Sequence, residues 1–140
     1  MEGIREELSL LAHRVIAKSK NDFGIPKFGG KRSVEDQQYL YSIGRKIEKH
    51  RKPITKVDGI KKESYHQSGN ALDIFLYHSH KEGGRQKACW SCTELYGEIA
   101  NLFKHEFELM KDEGLFSKDE VIECGRIVTG KHAFCLPPSL

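Results

Sequence analysis

The sequence predicts a small domain of the mixed α and β class, and three observations carry that reading. Three stretches repeat apolar residues at three- and four-residue spacing, the pattern of helices with one buried face. Another stretch, Ala71 to Tyr77, is rich in strand-forming residues, and five of its seven side chains are large and apolar or aromatic. Glycine-containing turns separate these patterns, and 140 residues are enough for one domain, spanning 1–140, but not for two.

In chain order, the first helical pattern covers Ile4 to Lys18, with Leu8, Leu11, Ala12 and Val15 on its apolar face and His13 on its surface. Asn21 to Gly24 reads as a turn, and Ile25 to Phe28 as a short edge strand, because Pro26 cannot donate to a central ladder. Gly29-Gly30 precedes a second helix that opens with Ser33 and Asp36 in capping-box spacing and extends its stripe through Leu40, Ile43 and Ile47. Lys46 to Lys52 is a basic segment, read as a solvated helix end complementing the helix dipole, with an anion-binding patch as the alternative. Ile54 to Val57 alternates like a strand, and Asp58-Gly59 supplies a turn. Beyond the Ala71–Tyr77 strand, His78 and His80 read as exposed loop histidines. The third helix covers Thr93 to Asp112, carries His105 on its surface and stops at Gly114. Ser117 and Glu120 have capping-box spacing for a short turn, and the tail from Val121 reads as two short strands ended by Pro137-Pro138.

The chemistry concentrates where the polar turn Ser64-Tyr65-His66-Gln67-Ser68-Gly69-Asn70 runs into the strand holding Asp73. A carboxylate inside an apolar strand is unstable without a compensating charge, which a metal ion or a basic side chain can supply. His66, seven residues upstream, can swing its imidazole to the same point. Arg32, between a glycine turn and a helix start, can aim its guanidinium across a cleft, although an arginine so placed is ordinarily just solvated.

Ser64-x-His66-x-x-Gly69-x-Ala71-x-Asp73 resembles the first zinc-binding motif of the D-alanyl-D-alanine carboxypeptidase and L-alanyl-D-glutamate endopeptidase family, which includes phage endolysins. Arg32-Ser33-x-x-Asp36-Gln37-x-x-Leu40-Tyr41-x-x-Gly44-Arg45 is similar to a second segment of that family lying upstream of the zinc motif, with Asp36 where the family more often has Glu. The resemblance spans Ile25 to Leu136. It implies an α+β fold, a small antiparallel sheet with packed helices like the hedgehog and D-Ala-D-Ala peptidase domains. It further implies zinc as cofactor, held by His66, Asp73 and the C-terminal His132, with Arg32 steadying charge on the scissile carbonyl and Gln37 and Ser64 at the substrate. Two histidines and an aspartate would leave a fourth position for water, the arrangement of a catalytic zinc site. A carboxylate must still accept the proton. Relatives carry an acid a few residues before the last histidine, but Thr129 fills that slot here, so Glu123 is the nearest candidate base. The expected function is a hydrolase, a zinc metallopeptidase of cell wall degradation that cuts peptidoglycan stem peptides beside a D-amino acid. A zinc-containing wall-peptide binding module without catalysis is the alternative.

Composition limits the partners. A net charge of +3 with 31% charged residues describes a mildly cationic protein, too weakly so to argue for nucleic acid. No apolar run approaches the roughly 20 residues of a membrane span, and the first residues lack the basic and apolar regions of a signal peptide. These features predict a protein made in the cytoplasm without membrane insertion; together with the resemblance they imply a monomer that would reach the wall through a holin-type pore, with a host cytoplasmic peptidase as the alternative. Cys89 and Cys92 form a Cys-x-x-Cys, with Cys124 and Cys135 further on. Usage in reducing compartments reads them as reduced packing thiols; a second metal site and redox chemistry are the alternatives.

Overall fold

A computed structural model describes residues 3–64, 66–69, 71–79, 83–89 and 92–122, with the side chain of Thr93 not described. Among these residues lie three helices, α1 (Glu6–Lys18), α2 (Val34–Ser42) and α3 (Thr93–Asp112), and three strands, β1 (Asp22–Gly24), β2 (Phe75–His78) and β3 (Lys87–Cys89). The strands form an open antiparallel sheet in the order β1-β2-β3, so the fold is a small α+β arrangement. Phe23 pairs with Leu76 on one side of β2, and Cys89 pairs with Leu76 on the other.

The core lies where α1 and α3 pack together over the sheet. Leu11 and Val15 from α1 meet Tyr96, Ile99, Phe103 and Met110 from α3, and Leu72, Ile74 and Leu76 from the strand segment complete the cluster, all essentially without exposure. Burying a side chain of this size is worth about 1.5–3 kcal/mol relative to leaving it in water, so this cluster is what holds the helices to the sheet. Tyr96 adds directional bonds inside it. Its hydroxyl donates to the Cys89 carbonyl at 2.6 Å and accepts from the Leu76 amide at 2.9 Å, and burial pushes its pKa up.

Local chemistry explains where elements start. Ser33 caps α2 by accepting the Asp36 amide at 3.0 Å, as the capping spacing predicts. α1 has Glu6 and Glu7 in its first turn and Lys18 in its last, both favourable to the helix dipole. The third helix keeps its predicted bounds.

Several expectations are corrected. The segment expected as a turn at Asn21 to Gly24 is instead β1, because Phe23 packs on Phe103 with ring centroids 5.9 Å apart while its backbone pairs with β2. The expected edge strand at Ile25 to Phe28 does not form; the chain leaves the sheet at Pro26 and turns, with Gly29 N–H donating to the Pro26 carbonyl. α2 stops at Ser42 rather than continuing to Ile47, since the Ser42 carbonyl accepts the amides of Arg45, Lys46 and Ile47 in a reversal of the chain. Ile54 to Val57 is not a strand. A buried side chain, Gln37, takes its polar groups instead, donating to Val57 O at 2.7 Å and to Thr55 Oγ1 at 3.3 Å. Regular strand geometry in the motif segment covers Phe75–His78, so His78 ends β2 rather than lying in a loop. Cys89 and Cys92 are bonded to each other as a disulfide, not held as reduced thiols. Ser117 and Glu120 form a turn without a helix, closed by Ser117 N–H donating to Glu120 Oε2 at 3.2 Å. The expected C-terminal strands fall outside the described residues. Among the described residues no helix is long and apolar enough to cross a membrane.

Candidate metal centre

The site begins at the turn before β2. The Ser64 hydroxyl accepts the His66 amide at 3.2 Å, and the Gln67 side chain accepts the Ser64 amide at 2.8 Å while donating to the Gly59 carbonyl at 3.1 Å. Gly69 closes the turn at φ +78°, and a β-carbon there would stand 2.3 Å from the Gly3 carbonyl oxygen. Only glycine fits, which lets the Gly69 carbonyl accept the Arg5 amide at 3.0 Å and fasten the turn to the start of α1.

His66 is buried, and its ring is aimed from both ends. Nδ1 lies 3.0 Å from the Gly30 carbonyl, which can only accept, so Nδ1 donates its proton there and Nε2 is the nitrogen left facing Asp73. Nε2 lies 3.5 Å from Asp73 Oδ2. The Asp73 amide donates to the Gly29 carbonyl at 2.8 Å, which draws the Gly29-Gly30 turn against the strand; a β-carbon on Gly29 would come within 3.1 Å of the Asp73 β-carbon.

Arg32 enters the same cluster from the other motif. Its backbone amide donates to the His66 carbonyl at 2.9 Å. Each guanidinium nitrogen is placed: Nε donates to Phe28 O at 2.7 Å, Nη1 to Gln37 Oε1 at 3.1 Å and Nη2 to Asp73 Oδ2 at 3.1 Å. Gln37 has no exposure, and its amide is engaged at both ends, by Arg32 on the oxygen and by Val57 and Thr55 on the nitrogen. As placed, this side chain, expected at the substrate, positions Arg32. Ser64, expected at the substrate as well, holds the turn through its hydroxyl.

The donor set fits a zinc ion in part. Zn–N and Zn–O bonds of about 2.0–2.2 Å at tetrahedral angles put two donors about 3.4 Å apart. His66 Nε2 and Asp73 Oδ2, 3.5 Å apart, meet that spacing, and a ligating imidazole whose other nitrogen bonds a backbone carbonyl is the common outer-shell arrangement. Among the described residues no third His, Cys, Asp or Glu joins them. His132, Glu123 and Thr129 lie outside the described residues, as do His80, Cys124 and Cys135. His13 and His105 are exposed on their helices, as expected, and His78 is half-buried at the end of β2.

Sequence reading missed the groups that aim this cluster. The carbonyls of Phe28 and Gly30 carry no side-chain signal. Gln67 was visible within the motif, and its glutamine amide, able to donate and accept at once, was the available clue. Glu106 was missed too. It is fully buried on α3, paired with Lys18, and its Oε2 has no hydrogen-bond partner. Compared with known proteins, the chain matches no family model and no curated protein.

Proposed function

We propose that this chain is a zinc-dependent peptidase that cleaves peptidoglycan stem peptides next to a D-amino acid, acting as a phage or prophage lysis enzyme. One observation carries the reading. Two segments picked out separately by their resemblance to one family, 41 residues apart at Arg32 and Asp73, converge on one carboxylate oxygen, with Arg32 Nη2 at 3.1 Å and His66 Nε2 at 3.5 Å.

His66, Asp73 and His132 would hold the ion, and the chemistry zinc supplies when bound is a more acidic water and a polarised amide carbonyl. The protein's own groups do the rest. The Gly30 carbonyl fixes the His66 tautomer, so a neutral nitrogen faces the metal position. Gln37 and the Phe28 carbonyl keep the Arg32 guanidinium from swinging away, and its permanent charge would steady the negative charge that develops on the scissile carbonyl oxygen. Glu123 would accept the proton from water and pass it to the leaving amine. A second reading, a zinc-stabilised module that binds wall peptides without cutting them, is favoured by one residue, Thr129, in the slot where relatives carry an acid.

Purified peptidoglycan incubated with the protein, with and without a chelator, and mass-mapped, tests the proposal. New amino termini or released D-amino acids that vanish with chelator are the expected result. Intact stem peptides together with stoichiometric bound zinc would instead establish the binding module.

A further inference from the structure

The chain between α2 and the motif turn is a long excursion with an unusual charge. From Ile43 to Ser64 it contains eight basic and three acidic residues, a net of +5, on a protein whose net charge is +3. The rest of the chain is therefore net negative by two, and the positive field belongs to this segment. Apart from an isolated bridge between Ile43 and Ile47 it has no strand or helix, and ordered loops of more than about 12–15 residues without such structure are usually functional.

Two of its three acids, Asp58 and Glu48, are already engaged. Asp58 Oδ1 turns inward to accept the amides of Ile60, Lys61 and Lys62 at 2.9, 2.9 and 3.4 Å, and the Ile60 bond above all holds its pKa below the usual carboxylate value. Glu48 pairs with Arg51. Lys46, Lys49, Lys52, Lys56 and Lys62 are exposed and make no ion pair with any described residue. The excursion is also fastened to the candidate site, through Gln37 on Val57 and Gln67 on Gly59.

We infer that this segment is a docking surface for a phosphodiester-bearing anionic polymer of the cell wall, which would hold the wall beside Arg32, His66 and Asp73. This rests on the peptidase reading for the choice of the wall as partner. Exposed ammonium groups on flexible stems suit a repeating phosphate chain, where attraction needs charge density and not a fixed fork geometry. Nucleic acid fits less well, because Ile43 to Ser64 contains no Phe, Tyr or Trp on which a base could stack.

The test is co-sedimentation of the full chain, in chelator to stop any hydrolysis, with purified walls carrying phosphodiester polymer and with the same walls stripped of it by hydrofluoric acid. The variant Lys49→Glu/Lys52→Glu/Lys56→Glu is run alongside, with circular dichroism as the check on folding. Wild type should bind intact walls about tenfold or more tightly than stripped walls, and the preference should fade between about 0.05 and about 0.5 M salt. The variant should lose that preference yet cleave a soluble stem peptide at the wild-type rate. Equal binding to intact and stripped walls, or a folded variant that binds like wild type, overturns the inference, and so does tighter binding to duplex DNA or RNA than to intact walls. Because wild type alone is compared on the two wall preparations, a misfolded variant leaves the inference open to refutation. Salt-sensitive wall binding without peptide cleavage defeats only the peptidase reading; cleavage without phosphate dependence defeats only the docking surface.

Discussion

Two carboxylates in this molecule sit in poorly solvated positions beside a cation, and they differ in how their surroundings use them. Asp73 keeps a quarter of its side-chain exposure and lies among groups whose other atoms are fixed: Arg32 by Phe28 and Gln37, His66 by Gly30. Glu106 has no exposure, meets the flexible Lys18 through one oxygen and leaves the other without a partner. Burial and a basic neighbour therefore do not mark a functional carboxylate by themselves. Convergence of independently anchored donors does, because preorganised groups are what ligation and charge stabilisation require.

The strongest way to break this contrast is to remove the proposed metal donors. His66→Ala or Asp73→Asn should abolish tight zinc binding and, with it, peptide cleavage, while the fold survives; metal analysis of dialysed protein by mass spectrometry reads the outcome. Unchanged zinc content in Asp73→Asn would show that Asp73 is no more a ligand than Glu106, and unchanged content in His66→Ala would remove His66 from the site. Next in size is Arg32→Ala, which should keep its zinc and lose turnover by about 100-fold, the scale of a lost oxyanion donor. If turnover fell only in proportion to zinc occupancy, Arg32 would be holding Asp73 in place and nothing more.

The fold was legible where one physical signal acted alone. The 3.6-residue repeat of Leu8, Leu11 and Val15, and of Leu95, Ile99, Leu102, Phe103 and Met110, placed α1 and α3 because both bury one face against a common core, although Leu95 and Leu102 lie at its edge and Tyr96 fills its centre. The short strands were harder. Asp22–Gly24 has little strand propensity of its own and is a strand because β2 offers it partners, which is tertiary information. Ile54 to Val57 alternates well yet forms no ladder, because Gln37, distant in sequence, satisfies its backbone. For the candidate site, His66, Asp73 and Arg32 were legible through motif spacing, and the structure brings those three together. The carbonyls of Phe28 and Gly30 that aim them are backbone groups, which no residue identity could announce. The disulfide between Cys89 and Cys92 escaped because composition argued for a reducing compartment, and that argument concerns the cell, not the distance between the two residues.

Glu106 offers the complementary prediction, in stability instead of chemistry. Lys18→Met removes the cation from a buried charge and should cost about 2 kcal/mol, less than the 3–5 of a fully buried pair because Lys18 is half exposed. Glu106→Leu removes the charge and its orphaned oxygen together, and should be neutral or stabilising by about 1 kcal/mol. Urea denaturation of the two variants measures both values. Neither substitution should alter zinc content. If Glu106→Leu proved strongly destabilising, the pair would be a structural asset and the contrast with Asp73 would narrow.

The smallest effect concerns the ion pair of Arg14 and Glu113, which lines one surface pocket with Lys18 and Glu106. Arg14 donates to both oxygens of Glu113, at 2.6 and 2.7 Å, and this hydrogen bonding, with the nearby positive charges, holds the Glu113 carboxyl below its ordinary pKa. A lowered native pKa means the folded state binds protons less readily than the unfolded chain. The contribution is therefore complete above the unfolded value and is lost as pH falls through the native one. Both side chains are substantially solvated, so screening by water and salt keeps the contribution modest. Arg14→Gln should accordingly leave Tm near neutral pH slightly lowered and flatten its decline between about pH 5 and pH 3. Thermal melts across that range compare the two slopes, and identical acid limbs would mean that the bidentate pair seen in the structure does not persist in solution.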